Sequence, residues 1–406
     1  MKSIVEIKKL DHQGRGIGKI DGKVIFVANT CIGEEVEVEV IKNSSKYMEG
    51  RVIKILKKSS DRINFSCPYY GECGGCNIAH MNYERQLEFK KNTVKNIFKK
   101  YANIDINPNI LESENELYYR NKVVFHVEKD KVGFYKEESN SLVSVDKCLL
   151  LDDLLNKTLR AISMGIDSVD LKNMTLKSNG HSTIVKFVGN SKLKNDSAMF
   201  WEDNSKLDKQ ATDYLKEEAI VFNLGKYKYV VNNDAFFQVN TKQAIKLYDK
   251  VRSYIKEINS DDIKVLDLYC GIGSISIYVS DLCKEVLGIE INKGAIKCAN
   301  YNKKLNNVKN VKFIEGDVSN IINNQMSSDV IIVDPPRSGL DDKTISTIKE
   351  IKPKKIVYVS CNPITLARDI NKLSEEYKFE DIELFDMFPQ TYHVECVVAM
   401  ILKEHL

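Results

Sequence analysis

The chain has 406 residues, of which 43% are apolar, so it exceeds one ordinary core and we expect two or three domains. It contains no apolar run long enough to cross a bilayer and no apolar signal core near Met1, which predicts a cytoplasmic protein without a membrane anchor. The net charge of +3 conceals a basic N-terminal part, because residues 1–100 carry 19 Lys and Arg against 12 Asp and Glu. This asymmetry suits a polyanionic partner, although an ordinary Lys-rich surface explains it equally well.

Residues 1–58 alternate between apolar and polar side chains in short runs, notably at 24–27 and 36–41. Glycines such as Gly14, Gly16 and Gly18 separate these runs. Alternation with period two and glycine-rich turns predicts a small β-barrel of the OB-like type. Barrels of this type bind oligonucleotides on an open face.

Residues 59–235 predict a mixed α+β domain. Apolar residues at helical spacing predict a basic amphipathic helix over 83–101. Strand-like runs at 122–127 and 182–188 predict an antiparallel sheet.

The same stretch holds a group of cysteines, Cys67, Cys73 and Cys76, with Cys148 far downstream. In a cytoplasmic protein, cysteines of this kind indicate metal binding rather than disulfides, and thiolates select zinc or iron–sulfur clusters. Three clustered cysteines and one remote cysteine favour a 4Fe-4S cluster, but the spacing alone does not exclude zinc.

Residues 236–406 alternate predicted strands and helices, which indicates an α/β, Rossmann-like domain with helices on both faces of a parallel sheet. The strands are predicted at 264–268, 286–290, 311–314, 329–333 and 356–360. Ligands of such sheets bind at the carboxyl ends of the strands.

A cofactor site is predicted where the first of these strands enters a turn with Gly271 and Gly273. Two glycines do not make the dinucleotide-binding fingerprint. Glu290 ends the next strand, where a carboxylate accepts ribose hydroxyls, and Asp317 follows the third strand, within reach of an adenine edge. The short turn and Asp334-Pro335-Pro336 after the fourth strand favour S-adenosylmethionine over NAD.

Cys361 ends the fifth strand and Glu395 lies before an apolar run. A thiolate that adds to C6 of a pyrimidine makes C5 nucleophilic toward a methyl donor, and a carboxylate then removes the C5 proton. This pair therefore predicts C5 methylation of a pyrimidine. Taken alone, Cys361 could be a buried structural thiol, but strand ends are where α/β active sites lie.

Several motifs together resemble the bacterial 23S rRNA (uracil-C5)-methyltransferases, RNA 5-methyluridine methyltransferases with a TRAM domain and a 4Fe-4S cluster. The resemblance covers nearly the whole chain. Its motifs are the four-cysteine pattern, Gly14-Arg15-Gly16-Ile17-Gly18 of the barrel, Phe236-Phe237-Gln238-Val239-Asn240, Asp267-Leu268-Tyr269-Cys270-Gly271, Asp334-Pro335-Pro336-Arg337, Ser360-Cys361-Asn362-Pro363 and Phe388-Pro389-Gln390-Thr391-Tyr392-His393-Val394-Glu395.

The resemblance implies residue roles and a substrate. Cys361 falls at the position of the nucleophile and Glu395 at that of the general base. Residues at cofactor positions are Gln238, Tyr269, Glu290 and Asp334, with Ser274 where relatives often have Asn, and the cluster ligands are Cys67, Cys73, Cys76 and Cys148. The implied substrate is a uridine of 23S rRNA, bound by a monomer. We also expect RNA contacts from Arg120, Lys122, Phe236 or Phe237, and Arg337, because a target base must be unstacked before C5 can react.

Three alternatives remain open from the sequence. The same chemistry could act on a tRNA uridine. A cytosine-C5 enzyme would carry an Asp-x-Pro-Cys motif after the fourth strand, which Asp334-Pro335-Pro336-Arg337 does not match. A non-catalytic RNA-binding or iron–sulfur protein on this scaffold is disfavoured because both Cys361 and Glu395 are present.

Overall fold

The computed structural model describes residues 1–129, 131–137, 139–163, 171–189, 197–201 and 206–405. Its first part is a six-stranded sheet in the order β1-β5-β6-β4-β3-β2. The sheet curls into the predicted barrel, in which β1 also contacts β3 and alternating side chains such as Val5, Ile25 and Val38 are buried in a common core. The strands are β1 (Lys2–Glu6), β2 (Lys9–Leu10), β3 (Gly16–Ile20), β4 (Lys23–Val27), β5 (Glu35–Asn43) and β6 (Met48–Lys57).

The middle of the chain begins with helix α1 (Tyr83–Tyr101), which has the predicted bounds. The side chain of Asn82 caps it by accepting a hydrogen bond from the Arg85 N–H. Val94 and Phe98 form its buried face. After α1 come β7 (Asn109–Leu111), β8 (Lys122–Glu128), β9 (Lys131–Tyr135), β10 (Leu142–Ser144), α2 (Asp153–Ser163), β11 (Leu171–Ser178), β12 (Ser182–Gly189) and β13 (Ser197–Trp201).

The predicted antiparallel sheet is confirmed in the order β10-β9-β8-β11-β12-β13. Helix α2 covers one face of it, where Leu155 and Leu159 share a core with Phe125 and Leu176. This sheet is separate from the barrel and from the C-terminal sheet.

The rest of the chain, together with β7 from the middle part, builds an eight-stranded sheet in the order β18-β17-β16-β19-β20-β22-β21-β7. The five predicted strands are confirmed to within one residue at each end. The elements are α3 (Lys206–Leu215), β14 (Ala219–Leu224), β15 (Tyr227–Asn232), α4 (Thr241–Lys256), β16 (Lys264–Leu268), α5 (Ser274–Tyr278), β17 (Glu285–Glu290), α6 (Lys293–Leu305), β18 (Val311–Glu315), α7 (Val318–Ile321), β19 (Val330–Val333), α8 (Asp342–Ile351), β20 (Lys355–Ser360), α9 (Pro363–Leu373), β21 (Tyr377–Phe385) and β22 (Glu395–Leu402).

The five predicted strands are parallel, as expected, but the complete sheet is mixed. Strand β22 runs antiparallel to both of its neighbours, β20 and β21. The physical reason is that only a loop, residues 386–394, joins β21 to β22, whereas a parallel pair needs a crossover. Strand β16 has β17 and β18 on one side and β19 and β20 on the other. The order of the strands therefore reverses beside β16, and such a reversal leaves a crevice at the carboxyl ends of the strands.

Both faces of this sheet are covered, because alternate residues of each strand point into two different cores. Val357 and Val359 belong to one core, and Ile356 and Tyr358 to the other. The hairpin of β14 and β15 contributes to the first core, α1 contributes to the second, and β7 pairs with β21. The domain boundaries at 58/59 and 235/236 stay predictions, and the chain on both sides of 235/236 shares one core. Among the described residues, no helix combines the length and apolar character needed to cross a membrane.

Candidate active site

The register of β20 and β22 brings Cys361 and Glu395 close together. Ser360 pairs with Cys396 at the end of β20, so Cys361 and Glu395, the next residues along the two chains, lie near each other. Asp334 directly follows β19, which flanks β20 on its other side. Residues that lie far apart in the sequence therefore converge at one edge of the sheet.

The electrostatic environment couples these groups. Burial, with the nearby Glu395 carboxyl, raises the pKa of the Cys361 thiol to about 11, and the Arg337 guanidinium opposes the increase. Burial also holds the pKa of Glu395 well above its ordinary value, with a further contribution from Asp334. Glu395 is 4% exposed, and its Oε2 atom has no hydrogen-bond partner among the described residues. A buried carboxyl oxygen without a partner is rare and is typical of groups with a chemical task.

A cavity of about 230 Å³ opens beside Cys361. Three parts of the chain form its walls: loops at the carboxyl edge of the sheet, helix α1, and the barrel loop between β2 and β3. The principal lining residues are Arg337, Cys361 and His393 from the loops, Thr93 from α1, and His12 and Gln13 from the barrel. The cavity therefore exists only when barrel, helix and sheet are assembled.

The turn after β16 leaves open space in front of the backbone. Tyr269, Gly271 and Gly273 all have positive φ, at 65°, 55° and 75°. A Cβ atom on Gly271 would meet nothing within 4 Å, whereas one on Gly273 would lie 2.4 Å from the Phe313 ring. Gly271 thus faces the crevice, and Gly273 is needed for close packing against β18.

The carboxylate of Glu290 shapes the same turn. It accepts hydrogen bonds from the Gly271 N–H at 3.1 Å and from the Asn292 N–H at 2.7 Å. Ser274 begins α5, and its side chain lies beside the buried Tyr248. These two expected cofactor residues therefore border the open turn.

Two further expected cofactor residues, Gln238 and Asp317, differ in burial. The Gln238 side chain is buried, and its backbone carbonyl accepts a hydrogen bond from Asn121 Nδ2 at 3.0 Å. Asp317 is exposed after β18, and a 2.6 Å hydrogen bond from the Ser319 hydroxyl lowers its pKa. An exposed carboxylate beside the crevice is available to a ligand.

Asp267 is a site residue that sequence reasoning did not assign. It is fully buried within β16, and its Oδ1 atom lacks a hydrogen-bond partner among the described residues. Burial raises the pKa of Asp267 to about 7, and burial together with Asp267 raises the pKa of Asp334 to about 7. With Glu395, these carboxyls form an acidic group that a cation would stabilise. The signal in the sequence was an acidic residue inside an otherwise apolar strand.

The four cysteines of the predicted cluster line one cavity of about 280 Å³ in the middle of the chain. Burial raises the pKa of Cys73 to about 11 and also raises the pKa values of Cys76 and Cys148, with further increases from neighbouring cysteines. In the described part of the chain, no three His, Cys, Asp or Glu side chains are arranged to hold a metal ion. The structure therefore brings Cys67, Cys73, Cys76 and Cys148 together around one space without forming a single-ion site.

The expected RNA contacts occupy different environments. Phe236 is 62% exposed, but Phe237 is buried against Phe222, so only the first of the pair can meet RNA. Arg120 lines the cysteine cavity and donates its Nε–H to the Lys122 carbonyl. Lys122 is half-buried, which lowers its pKa, with a contribution from Arg120. Arg337, in contrast, is exposed beside Cys361.

Comparisons with known proteins agree with this architecture. The family model of tRNA (Uracil-5-)-methyltransferases matches residues 204–403, and that of the TRAM domain matches residues 4–53. An uncharacterized RNA methyltransferase of Clostridium tetani is 33% identical, with 98% of each chain covered. Another, from Caldanaerobacter subterraneus subsp. tengcongensis, is 35% identical and covers 98% of this chain and 97% of its own.

A solved structure is similar over the full length. The crystal structure of the Pyrococcus abyssi tRNA (uracil-54, C5)-methyltransferase in complex with S-adenosyl-L-homocysteine has a TM-score of 0.79 and 26% identity, and the match covers 98% of this chain and 99% of that chain. The N-terminal barrel is thus a TRAM domain, and the eight-stranded sheet has the methyltransferase fold. The chain belongs to the RNA uracil-5-methyltransferase family and is an S-adenosylmethionine-dependent enzyme that acts on RNA.

Proposed function

We propose that the enzyme methylates C5 of a specific uridine in 23S rRNA, with Cys361 as nucleophile and Glu395 as general base. The observation that supports this proposal is the strand register, which brings Glu395 close to Cys361, a residue that lines one cavity together with Val394. The lining includes the His393 and Tyr392 rings and the Arg337 cation, which suits a single unstacked base.

The proposed chemistry begins with addition of the Cys361 thiolate to C6 of the uracil ring. A C–S bond forms, and the electron pair of the C5–C6 double bond becomes an enolate with density at C5. Bound S-adenosylmethionine supplies an electrophilic methyl group on a cationic sulfur. C5 would take this methyl group, and the electron pair of the broken S–CH3 bond would stay on sulfur in the S-adenosylhomocysteine product.

Glu395 completes the reaction as the base. It removes the proton from C5, the C5–C6 double bond forms again, and the C–S bond breaks to release the Cys361 thiolate. Arg337 assists the first step, because its positive charge opposes the increase in the pKa of Cys361 and so favours the thiolate.

The residues at the crevice fit S-adenosylmethionine. Gly271 faces open space, and Asp267, Asp334 and Glu395 form an acidic group with two unpartnered oxygen atoms, which a sulfonium cation would stabilise. We propose that Glu290 and Asp317 bind the ribose and adenine ends. Gln238, Tyr269, Gly273, Ser274 and Asp334 complete the proposed cofactor site.

We also propose that Cys67, Cys73, Cys76 and Cys148 ligate a 4Fe-4S cluster. Support comes from the one cavity that all four thiols line. Thiolates select zinc or iron–sulfur clusters, and three clustered cysteines with one remote cysteine favour the cluster. Bound there, the cluster would connect residues 67–76 to Cys148, which lies between β10 of the antiparallel sheet and α2, in the middle of the chain.

A second class of RNA, tRNA, is also a candidate substrate. The Pyrococcus abyssi neighbour, similar over 98% of this chain, is a tRNA (uracil-54, C5)-methyltransferase, which favours a tRNA uridine as the alternative substrate. Mapping of 5-methyluridine by mass spectrometry in rRNA and tRNA from a deletion strain separates the two. Loss from 23S rRNA supports the first proposal, and loss from tRNA alone supports the second.

The covalent mechanism is tested by trapping. RNA with 5-fluorouridine at the target should form a complex with the wild-type enzyme and S-adenosylmethionine that survives denaturing gels, because fluorine cannot leave as a cation and elimination stops. Cys361→Ala should form none, and Cys283→Ala, a matched thiol control, should trap normally. Glu395→Gln should accumulate a similar adduct on unmodified RNA. Trapping by Cys361→Ala, or none by the wild type, would leave Cys361 a structural thiol.

A further inference from the structure

The barrel loop between β2 and β3 forms part of the wall of the Cys361 cavity, although barrel domains of this kind are most simply understood as separate RNA-binding modules. His12 and Gln13 line the cavity that Cys361, Arg337 and His393 also line. His12 is exposed and Gln13 is half-buried. Among the described residues, neither side chain forms a hydrogen bond.

Other residues of the loop hold its shape. The Asp11 carboxylate accepts hydrogen bonds from the Gln13 N–H at 2.9 Å, the Arg15 N–H at 2.8 Å and the Arg15 Nε–H at 2.8 Å. Gly14 has φ of 84°, and a Cβ atom there would lie 2.4 Å from Ile78 Cγ2. Asp11, Gly14 and Arg15 thus maintain the conformation of the loop. The side chains of His12 and Gln13, which face the cavity, make none of these contacts.

The barrel is also held against the rest of the molecule. Arg62, just after the barrel, donates its Nε–H to Glu34 Oε1 at 2.5 Å, and the Glu34 side chain has no exposed surface. An apolar cluster joins Cys31 of the barrel to Phe89 of α1, and Leu10 and Tyr392 pack against it. Because Tyr392 lies three residues before Glu395, the position of the barrel is coupled to the loop that leads to the expected base.

We propose that His12 and Gln13 recognise a nucleotide next to the target uridine, so that the barrel helps to select which uridine is methylated. The inference rests on the proposed function, since it assumes that the target base enters the Cys361 cavity. An imidazole ring can stack on a base, and a primary amide can donate to and accept from a base edge. The barrel's positive charge, 12 Lys and Arg against 8 Asp and Glu over residues 1–60, suits the flanking phosphates.

The test compares wild type with His12→Ala, Gln13→Ala and the double variant on short RNAs that carry one uridine between randomised flanking positions. Gln325→Ala is the matched control, because Gln325 is exposed and precedes β19, at the opposite edge of the sheet. The double variant should raise KM for RNA about tenfold and lose a preference at one flanking position, with kcat and the Kd of S-adenosylmethionine within about twofold of wild type.

The results separate this inference from the proposed function. Wild type that forms 5-methyluridine on none of these RNAs contradicts the function itself. Wild type that methylates with a flanking preference which the double variant keeps, at unchanged KM, overturns the inference alone. A decrease in kcat without a change in KM also overturns it, because the loop would then act on the chemistry. If the double variant loses S-adenosylmethionine binding through misfolding, the two single variants decide by the same readouts.

Discussion

Substitution of Lys90 by methionine should destabilise the protein strongly, because it breaks a fully buried ion pair. Lys90 Nζ lies 2.5 Å from Asp386 Oδ1, and neither side chain has exposed surface. Lys90 also donates to the Phe388 carbonyl at 3.1 Å, and the Tyr83 hydroxyl donates to Asp386 Oδ2 at 2.8 Å. These contacts hold helix α1 to the loop that precedes Glu395.

The magnitude follows from the charge that is left behind. Lys90→Met retains the apolar stem but leaves the Asp386 carboxylate buried without its cation, which costs about 3–5 kcal/mol in the free energy of unfolding. Lys90→Met/Asp386→Asn should lose less than the single variant, because no uncompensated charge remains. Lys99→Ala on the same helix is the control: its pair with Asp105 is 3.4 Å long and about two-thirds exposed, so it should cost at most about 1 kcal/mol.

Urea unfolding followed by far-UV circular dichroism measures these differences, and native-state hydrogen exchange of residues 386–394 shows whether this loop opens first. A Lys90→Met protein within about 1 kcal/mol of wild type would refute the reasoning. A double variant less stable than the single variant would refute the assignment of the cost to the unpaired charge.

Two further predictions concern the bound groups. Anaerobically purified protein should be brown with about four irons per chain, and Cys148→Ala should lower the iron content and the solubility while Cys283→Ala does not; a colourless protein with stoichiometric zinc would contradict the cluster. Because burial and Asp267 raise the pKa of Asp334 to about 7, this carboxyl is protonated at lower pH and must lose its proton to stabilise a cation. The affinity for S-adenosylmethionine, measured by calorimetry, should therefore rise with pH between about 6 and 8. Asp334→Asn, or neutral S-adenosylhomocysteine as ligand, should weaken this dependence, and an unchanged dependence in both would contradict it.

The sequence predicted the features that depend only on residues close together along the chain. Helix α1 and the five strands from β16 to β20 were predicted to within a residue or so, because side-chain periodicity is a property of the local backbone. The motifs around Cys361 and Glu395 indicated the chemistry, because each needs only a residue type at a strand end. Asp267 was visible in the sequence as an acid in an apolar strand, but its missing hydrogen-bond partner depends on the residues packed around it.

Tertiary structure alone decided how distant segments meet. Antiparallel insertion of β22 brings Glu395 close to Cys361, and no local pattern distinguishes that strand from a parallel one. Packing on Phe222 buries Phe237 and leaves Phe236 exposed, although the two residues are adjacent and chemically identical. His12 reaches the cavity only because an apolar cluster holds Cys31 of the barrel against Phe89 of α1. The amino-acid sequence by itself thus determined the elements and the reactive groups, whereas the pairing of strands and the docking of the barrel, both long-range packing events, determined which groups share a site.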